Sequence, residues 1–89
     1  MRSYKFIVSG SVQDVYYRKS VSDSASDAGF CGYVKNLNDG TVEAAVTCED
    51  NSLDEFLWIL RSGSKASEVE QIEKFDIKET FSRGFEVIY

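Results

Sequence analysis

Residues 10–21, GSVQDVYYRKSV, carry the change from strand to helix on which the fold of this chain depends. The stretch begins with a glycine after an apolar run, continues as a polar loop and ends in residues with helical spacing. Arg18 and Lys19 stand where the first turn of that helix should be. Because a helix N-terminus carries partial positive charge, cations there are unfavourable unless an anion compensates them. Cations at this unfavourable position therefore indicate a functional site.

The segments on either side predict the remaining elements. A strand over residues 4–10 precedes the loop, and a weak helix runs from Tyr17 to about Gly29. Two strand-like runs follow, FCGYVKNL and TVEAAVTC, then a helix in NSLDEFLWILRSG, a charged edge strand in SEVEQIEKFDIKE and a last short strand in GFEVIY. The order is β-α-β-β-α-β with an extra final strand, so we expect one α+β domain over residues 1–89. The predicted architecture is a ferredoxin-like α/β sandwich, an antiparallel sheet with two helices on one face.

The turn between the two central strands determines whether the cysteines face each other. Asp39-Gly40 is a strong signal for a two-residue hairpin turn, and that turn would set Cys31 opposite Cys48. A longer loop or a bulge would change the register, and the mixed apolar pattern of the first strand favours such a shift. The sequence leaves open whether Cys31 and Cys48 pair.

Composition excludes several classes of function. The chain has 89 residues, a formal net charge of −5 and no histidine. An acidic chain repels phosphate backbones and anionic membranes, so nucleic acid and membrane are not expected partners. Without histidine, Ser-His-Asp and Cys-His catalysis and histidine-ligated metal sites are excluded. Two cysteines are too few for a disulfide scaffold, and we expect a cytoplasmic protein.

The loop before the first helix suits an anion. A glycine-bounded loop that leads into a helix directs successive backbone N–H groups into one concavity, which binds phosphate-like groups. Arg18 would add a planar pair of donors for two oxygens. An ordinary alternative stands beside this one: Arg18 and Lys19 could be solvated, with Asp14 pairing with Arg18 four residues away.

Two ordered motifs then carry a resemblance to a known family. GSVQDVYYR resembles the acylphosphatase signature G-x-V-Q-G-V-x-[FY]-R, and GYVKNLNDGTVE is similar to that family's G-x-V-x-N-x-x-x-G-x-V. The resemblance covers essentially the whole chain and implies the same ferredoxin-like fold. It also implies hydrolysis of the carboxyl-phosphate bond of small acyl phosphates, with no metal and no cofactor. We expect the protein to be a monomer.

The resemblance assigns roles to particular positions. Arg18 would hold the phosphoryl group, and Asn36 would position the attacking water. Backbone N–H groups of the loop would bind the phosphoryl oxygens, at Ser11, Val12, Gln13, Asp14, Val15 and Tyr16. An asparagine near a hairpin end is otherwise an ordinary turn residue, so the role of Asn36 depends on the resemblance.

The departure from the signature is Asp14, where the family motif has glycine. Its carboxylate would repel a phosphate, and aspartate accepts positive φ less readily than glycine. The runner-up interpretation is therefore a weakened or inactive homologue that acts as a binding or regulatory module. A nucleic-acid-binding domain of the same fold is a distant third, because the chain lacks a basic face and clustered exposed aromatic residues on the central strands.

Overall fold

The computed structural model describes residues 1–13 and 16–89; Asp14 and Val15 lie outside the described residues. Within these residues, five strands and two α-helices follow one another in the predicted order. They are β1 (Arg2–Ser11), α1 (Tyr17–Asp27), β2 (Cys31–Asn36), β3 (Val42–Cys48), α2 (Leu53–Ser62), β4 (Glu68–Ile77) and β5 (Phe85–Ile88), with a short 3-10 turn at Asp50–Ser52 before α2.

The strands form one sheet in the order β4-β1-β3-β2-β5. The strands β4, β1, β3 and β2 pair with their neighbours in antiparallel fashion, which confirms the ferredoxin-like prediction. The strand β4 lies at an edge of the sheet, as its charged sequence predicts. The last strand pairs parallel to β2, so the complete sheet is mixed rather than purely antiparallel. That pairing places Ile88 beside Lys35, at the end of β2.

Both helices contribute to a single core on one face of the sheet. Helical spacing predicts an apolar stripe of Tyr17, Val21, Ala25 and Ala28 on α1. The first three are buried, whereas Ala28 follows the end of the helix and is exposed. Phe56 of α2 packs against Phe6 of β1, with ring centroids 5.6 Å apart. Side chains alternate between the two faces of β1, so its buried apolar side chains share one core with those of α1 and α2.

The hairpin between β2 and β3 differs from the two-residue prediction. Asn36 pairs with Val42, so residues 37–41 form the loop and Cys31 lies opposite Thr47 rather than Cys48. The wider loop is held because the Asp39 carboxylate accepts hydrogen bonds from the Thr41 amide and hydroxyl. Both cysteines are free thiols. The shift sets Val34 opposite Ala44 on the buried face, which resolves the mixed pattern noted in the sequence.

Candidate active site

The loop after β1 is anchored to the β2–β3 loop by a side chain. The Gln13 Nε2 atom donates hydrogen bonds to the backbone carbonyls of Leu37 and Thr41, each at 2.8 Å. Leu37 directly follows Asn36 in the chain. The segment that resembles the first motif and the asparagine of the second are therefore brought to the same end of the sheet.

The start of α1 is open to an anion. Tyr16, the residue before the helix, has left-handed backbone angles (φ 60, ψ 20), an uncommon conformation for a residue with a side chain. No side chain among the described residues caps α1, and its first turn contains no acidic residue. The first N–H groups of a helix lack intrahelical partners, and a left-handed residue followed by helical ones turns successive N–H groups toward one side. This geometry suits an oxyanion.

Arg18 adds positive charge beside these amides. Its guanidinium carbon lies 4.9 Å from the centroid of the Tyr89 ring, and its Nη1 atom donates to the Ile88 carbonyl at 3.3 Å. Within residues 1–13 and 16–89, Arg18 forms no ion pair, whereas Lys19 pairs with Asp23 at 3.2 Å. The alternative pairing of Arg18 with Asp14 falls on a residue outside the described ones. Among the described groups, Arg18 is thus restrained but not neutralised.

Asn36 is the last residue of β2 and lies on the face of the sheet that carries the helices. It is two residues beyond the buried Val34 and therefore shares its face. Its Oδ1 atom is buried and accepts no hydrogen bond from any described residue. Since Ile88, which accepts from Arg18, pairs with the neighbouring Lys35, Asn36 and Arg18 occupy the same end of the fold.

The predicted loop positions are placed unequally by the structure. Ser11 ends β1 and is exposed, the Val12 side chain is buried in the core, and Tyr16 is exposed. Asp14 and Val15 lie outside the described residues. The anion-binding role of the loop amides remains a prediction.

The first glycine of each motif has a packing role that the sequence did not reveal. A Cβ atom at Gly10 would fall on the Glu68 carbonyl oxygen, where β4 pairs with β1 across a bulge. A Cβ atom at Gly32 would fall on the Ala45 carbonyl oxygen of β3. Both glycines therefore permit a close approach of neighbouring backbones. Gly10 does so next to the loop after β1, whereas Gly32 lies toward the other end of β2 from Asn36.

Two further contributors were missed by sequence reasoning. The Arg18 guanidinium lies over the Tyr89 ring. The side chain of Gln13, for which the sequence predicted only a role of the backbone N–H group, holds the loop in place. No sequence pattern connects residue 89 with residue 18, because their contact depends on the parallel pairing of β5 with β2. For Gln13 the signal was its place in the motif, which did not indicate its partners.

The described residues offer neither a metal-binding cluster nor a membrane-spanning helix. No three His, Cys, Asp or Glu side chains there come together in a way that could hold a metal ion. Neither helix described is long and apolar enough to cross a membrane.

Comparisons with known proteins identify relatives over nearly the full chain. A profile of the acylphosphatase family matches residues 4–87. An acylphosphatase from Methanocella arvoryzae is 37% identical over 87 residues, covering 98% of this chain and 99% of that protein. The crystal structure of acylphosphatase from Bacillus subtilis matches with a TM-score of 0.90 and 32% identity over 100% of both chains. An acylphosphatase structure from Coxiella burnetii matches with a TM-score of 0.87 and 30% identity, covering 98% of this chain and 92% of that one.

Proposed function

The chain belongs to the acylphosphatase family, and we propose that it hydrolyses the carboxyl-phosphate bond of acyl phosphates by using Arg18, Asn36 and the amides of the 10–16 loop. In this proposal Arg18 and the amides bind the phosphoryl oxygens, and Asn36 holds the attacking water. The observation that carries it is the uncapped start of α1, with a left-handed residue before it and an arginine in its first turn.

The bond change needs little from the protein beyond position and charge. Water forms a new P–O bond as the bond from phosphorus to the carboxyl oxygen breaks, and the carboxylate leaves with the electron pair. The water proton passes to an oxygen of the substrate's phosphoryl group. Because the transition state is loose and its charge is spread over equatorial oxygens, donors fixed around those oxygens supply most of the acceleration.

The buried amide oxygen of Asn36 supports its proposed role. A buried acceptor without a donor costs about 1–3 kcal/mol, and among the described residues Oδ1 has none. A water that donates one hydrogen to Oδ1 would satisfy this atom and direct a lone pair away from it. An amide is too weak a base to remove the proton, so Asn36 acts by orientation.

The test is metal-free hydrolysis of benzoyl phosphate by the wild type, Arg18→Ala and Asn36→Ala. We expect each substitution to lower kcat/KM by at least about 100-fold, the loss that follows removal of one transition-state donor or of an oriented water. Arg61→Ala and Asn51→Ala remove the same side chains from exposed positions elsewhere and serve as matched controls. Wild-type turnover that survives both site substitutions would contradict the proposed mechanism.

Asp14 supports the second candidate, an inactive homologue that binds but does not turn over. A carboxylate replaces the glycine of the family motif at this position. This candidate predicts that folded wild type binds inorganic phosphate weakly and hydrolyses nothing, and that Asp14→Gly restores hydrolysis. Robust turnover by the wild type would reject it.

A further inference from the structure

An exposed aromatic side chain lies on the outer face of α2. Phe56 of this helix is buried in the core, whereas Trp58 is 68% exposed. Trp58 lines a shallow depression of about 460 Å³ together with Asp54, Glu55 and Ile59. We propose that this α2 depression is a docking surface for an arginine-rich segment of a partner protein, with an arginine side chain lying on the indole ring.

The fold leaves the indole ring of Trp58 uncovered. Among the described residues, no aromatic ring and no cation lies against it. Phe75, which is 44% exposed, is by contrast covered by the Lys5 Nζ atom at 5.5 Å from the ring centroid. Large aromatic side chains gain by burial and are enriched among the residues that dominate binding at interfaces. A partner that covers Trp58 would supply this burial.

The charge beside the indole ring selects a cationic partner. Asp54 lies four residues before Trp58 and therefore on the same face of α2. Within the described part of the chain, neither Asp54 nor Glu55 forms an ion pair, and residues 36–60 contain no lysine or arginine. Acidic residues in a first turn suit the helix dipole, but two full negative charges exceed its partial charge of about +0.5. The surface around Trp58 is therefore negative.

Arginine fits this combination of groups better than lysine. A guanidinium is planar, so it can stack on the indole face while its edge donates two parallel hydrogen bonds to a carboxylate. A lysine ammonium is a strongly hydrated point charge and cannot make both contacts with the same geometry. A second copy of this chain is disfavoured as the occupant, because each copy carries a net charge of −5.

The test measures binding of two labelled peptides, one of alternating arginine and glycine and one of alternating lysine and glycine, by fluorescence anisotropy at low salt. We expect wild type to bind the arginine peptide at least about threefold more tightly. Trp58 is the only tryptophan of the chain, so its emission should change over the same concentration range. Trp58→Leu keeps an apolar side chain without the indole ring and should abolish the preference for arginine.

Two double variants with the same change in net charge test the position of the surface. Asp54→Asn combined with Glu55→Gln should weaken the arginine peptide at least about fivefold, as the loss of two exposed ion pairs allows. Glu68→Gln combined with Glu70→Gln neutralises two exposed carboxylates on β4 and is the matched control. It should change the affinity by less than about twofold.

Other results would overturn the inference. Equal weakening by the two double variants would show only a general attraction of cations to an acidic chain. Binding without a change in Trp58 emission would place the peptide elsewhere, and equal affinity for both peptides would exclude stacking on the indole ring. A wild-type dimer in analytical ultracentrifugation that Trp58→Leu dissociates would assign the surface to a second copy of the chain instead.

Discussion

Replacing Tyr17 with phenylalanine should destabilise the fold by removing a single buried hydrogen bond. Tyr17 is 1% exposed, and its hydroxyl donates to the Leu60 carbonyl at 2.6 Å. Leu60 lies in the last turn of α2, where carbonyls have no intrahelical partner. The hydroxyl thus joins the first turn of α1, which carries Arg18, to the end of α2.

The structure allows the size of the effect to be worked out. Tyr17→Phe leaves the ring in place and the Leu60 carbonyl buried without this donor, which costs about 1–3 kcal/mol. The unfolding entropy of a chain of 89 residues is about 0.19 kcal/mol/K at the usual value per residue. The melting temperature should therefore fall by about 5–15 °C.

Thermal unfolding followed by far-UV circular dichroism at pH 7 measures this change. Tyr16→Phe is the matched control, since it removes a hydroxyl from the adjacent tyrosine, which is 81% exposed. The control should stay within about 0.5 kcal/mol of wild type, as surface substitutions usually do. A Tyr17→Phe melting temperature equal to that of wild type, or an equal fall in both variants, would refute the reasoning.

Alkaline pH should reduce the difference in free energy of unfolding between wild type and Tyr17→Phe. Burial raises the pKa of the Tyr17 hydroxyl above its ordinary value of 10.0. The folded chain therefore retains a proton that the unfolded chain releases above about pH 10. The stability from Tyr17 is complete below that pH and is lost as pH rises beyond it. Urea unfolding at pH 7 and above pH 10 measures the difference, and a constant difference would contradict the assignment.

Substitutions of Gly10, Gln13 and Asp14 test the surroundings of the site. Gly10→Ala should lower the free energy of unfolding by about 2–5 kcal/mol, because its Cβ would meet the β4 backbone at a positive φ. Gly40→Ala, with a positive φ but no atom within 4 Å of the added Cβ, should cost only about 1 kcal/mol; equal urea midpoints would contradict this. Gln13→Glu should destabilise the fold more than Gln13→Ala, because a carboxylate would face the two carbonyl oxygens that accept from Gln13. A higher urea midpoint for Gln13→Glu than for Gln13→Ala would contradict the role of these hydrogen bonds. Asp14→Gly should raise kcat/KM for benzoyl phosphate by about two- to tenfold by removing one water-screened like charge; equal rates at all substrate concentrations would exclude this effect.

Local patterns in the sequence were sufficient for the element order, and they predicted a site at the start of α1. Alternating and helical spacing, with glycines at the ends, predicted the strands and helices, because these signals act over a few residues. The same locality made Arg18 conspicuous at a helix start. The roles of Arg18 and Asn36 came from the family resemblance, since neither residue type specifies a phosphoryl site by itself. Those roles, the loop amides and the cytoplasmic location remain predictions.

Tertiary structure alone decided how distant segments meet. The five-residue β2–β3 loop shifted the register by one and separated Cys31 from Cys48, because hydrogen bonds of Asp39 and Thr41 outweighed the two-residue turn signal. Parallel pairing of β5 with β2 carried Tyr89 to Arg18. The contact of Tyr89 with Arg18 joins residues far apart in the chain, and it depends on strand order and register, which no local window of sequence contains.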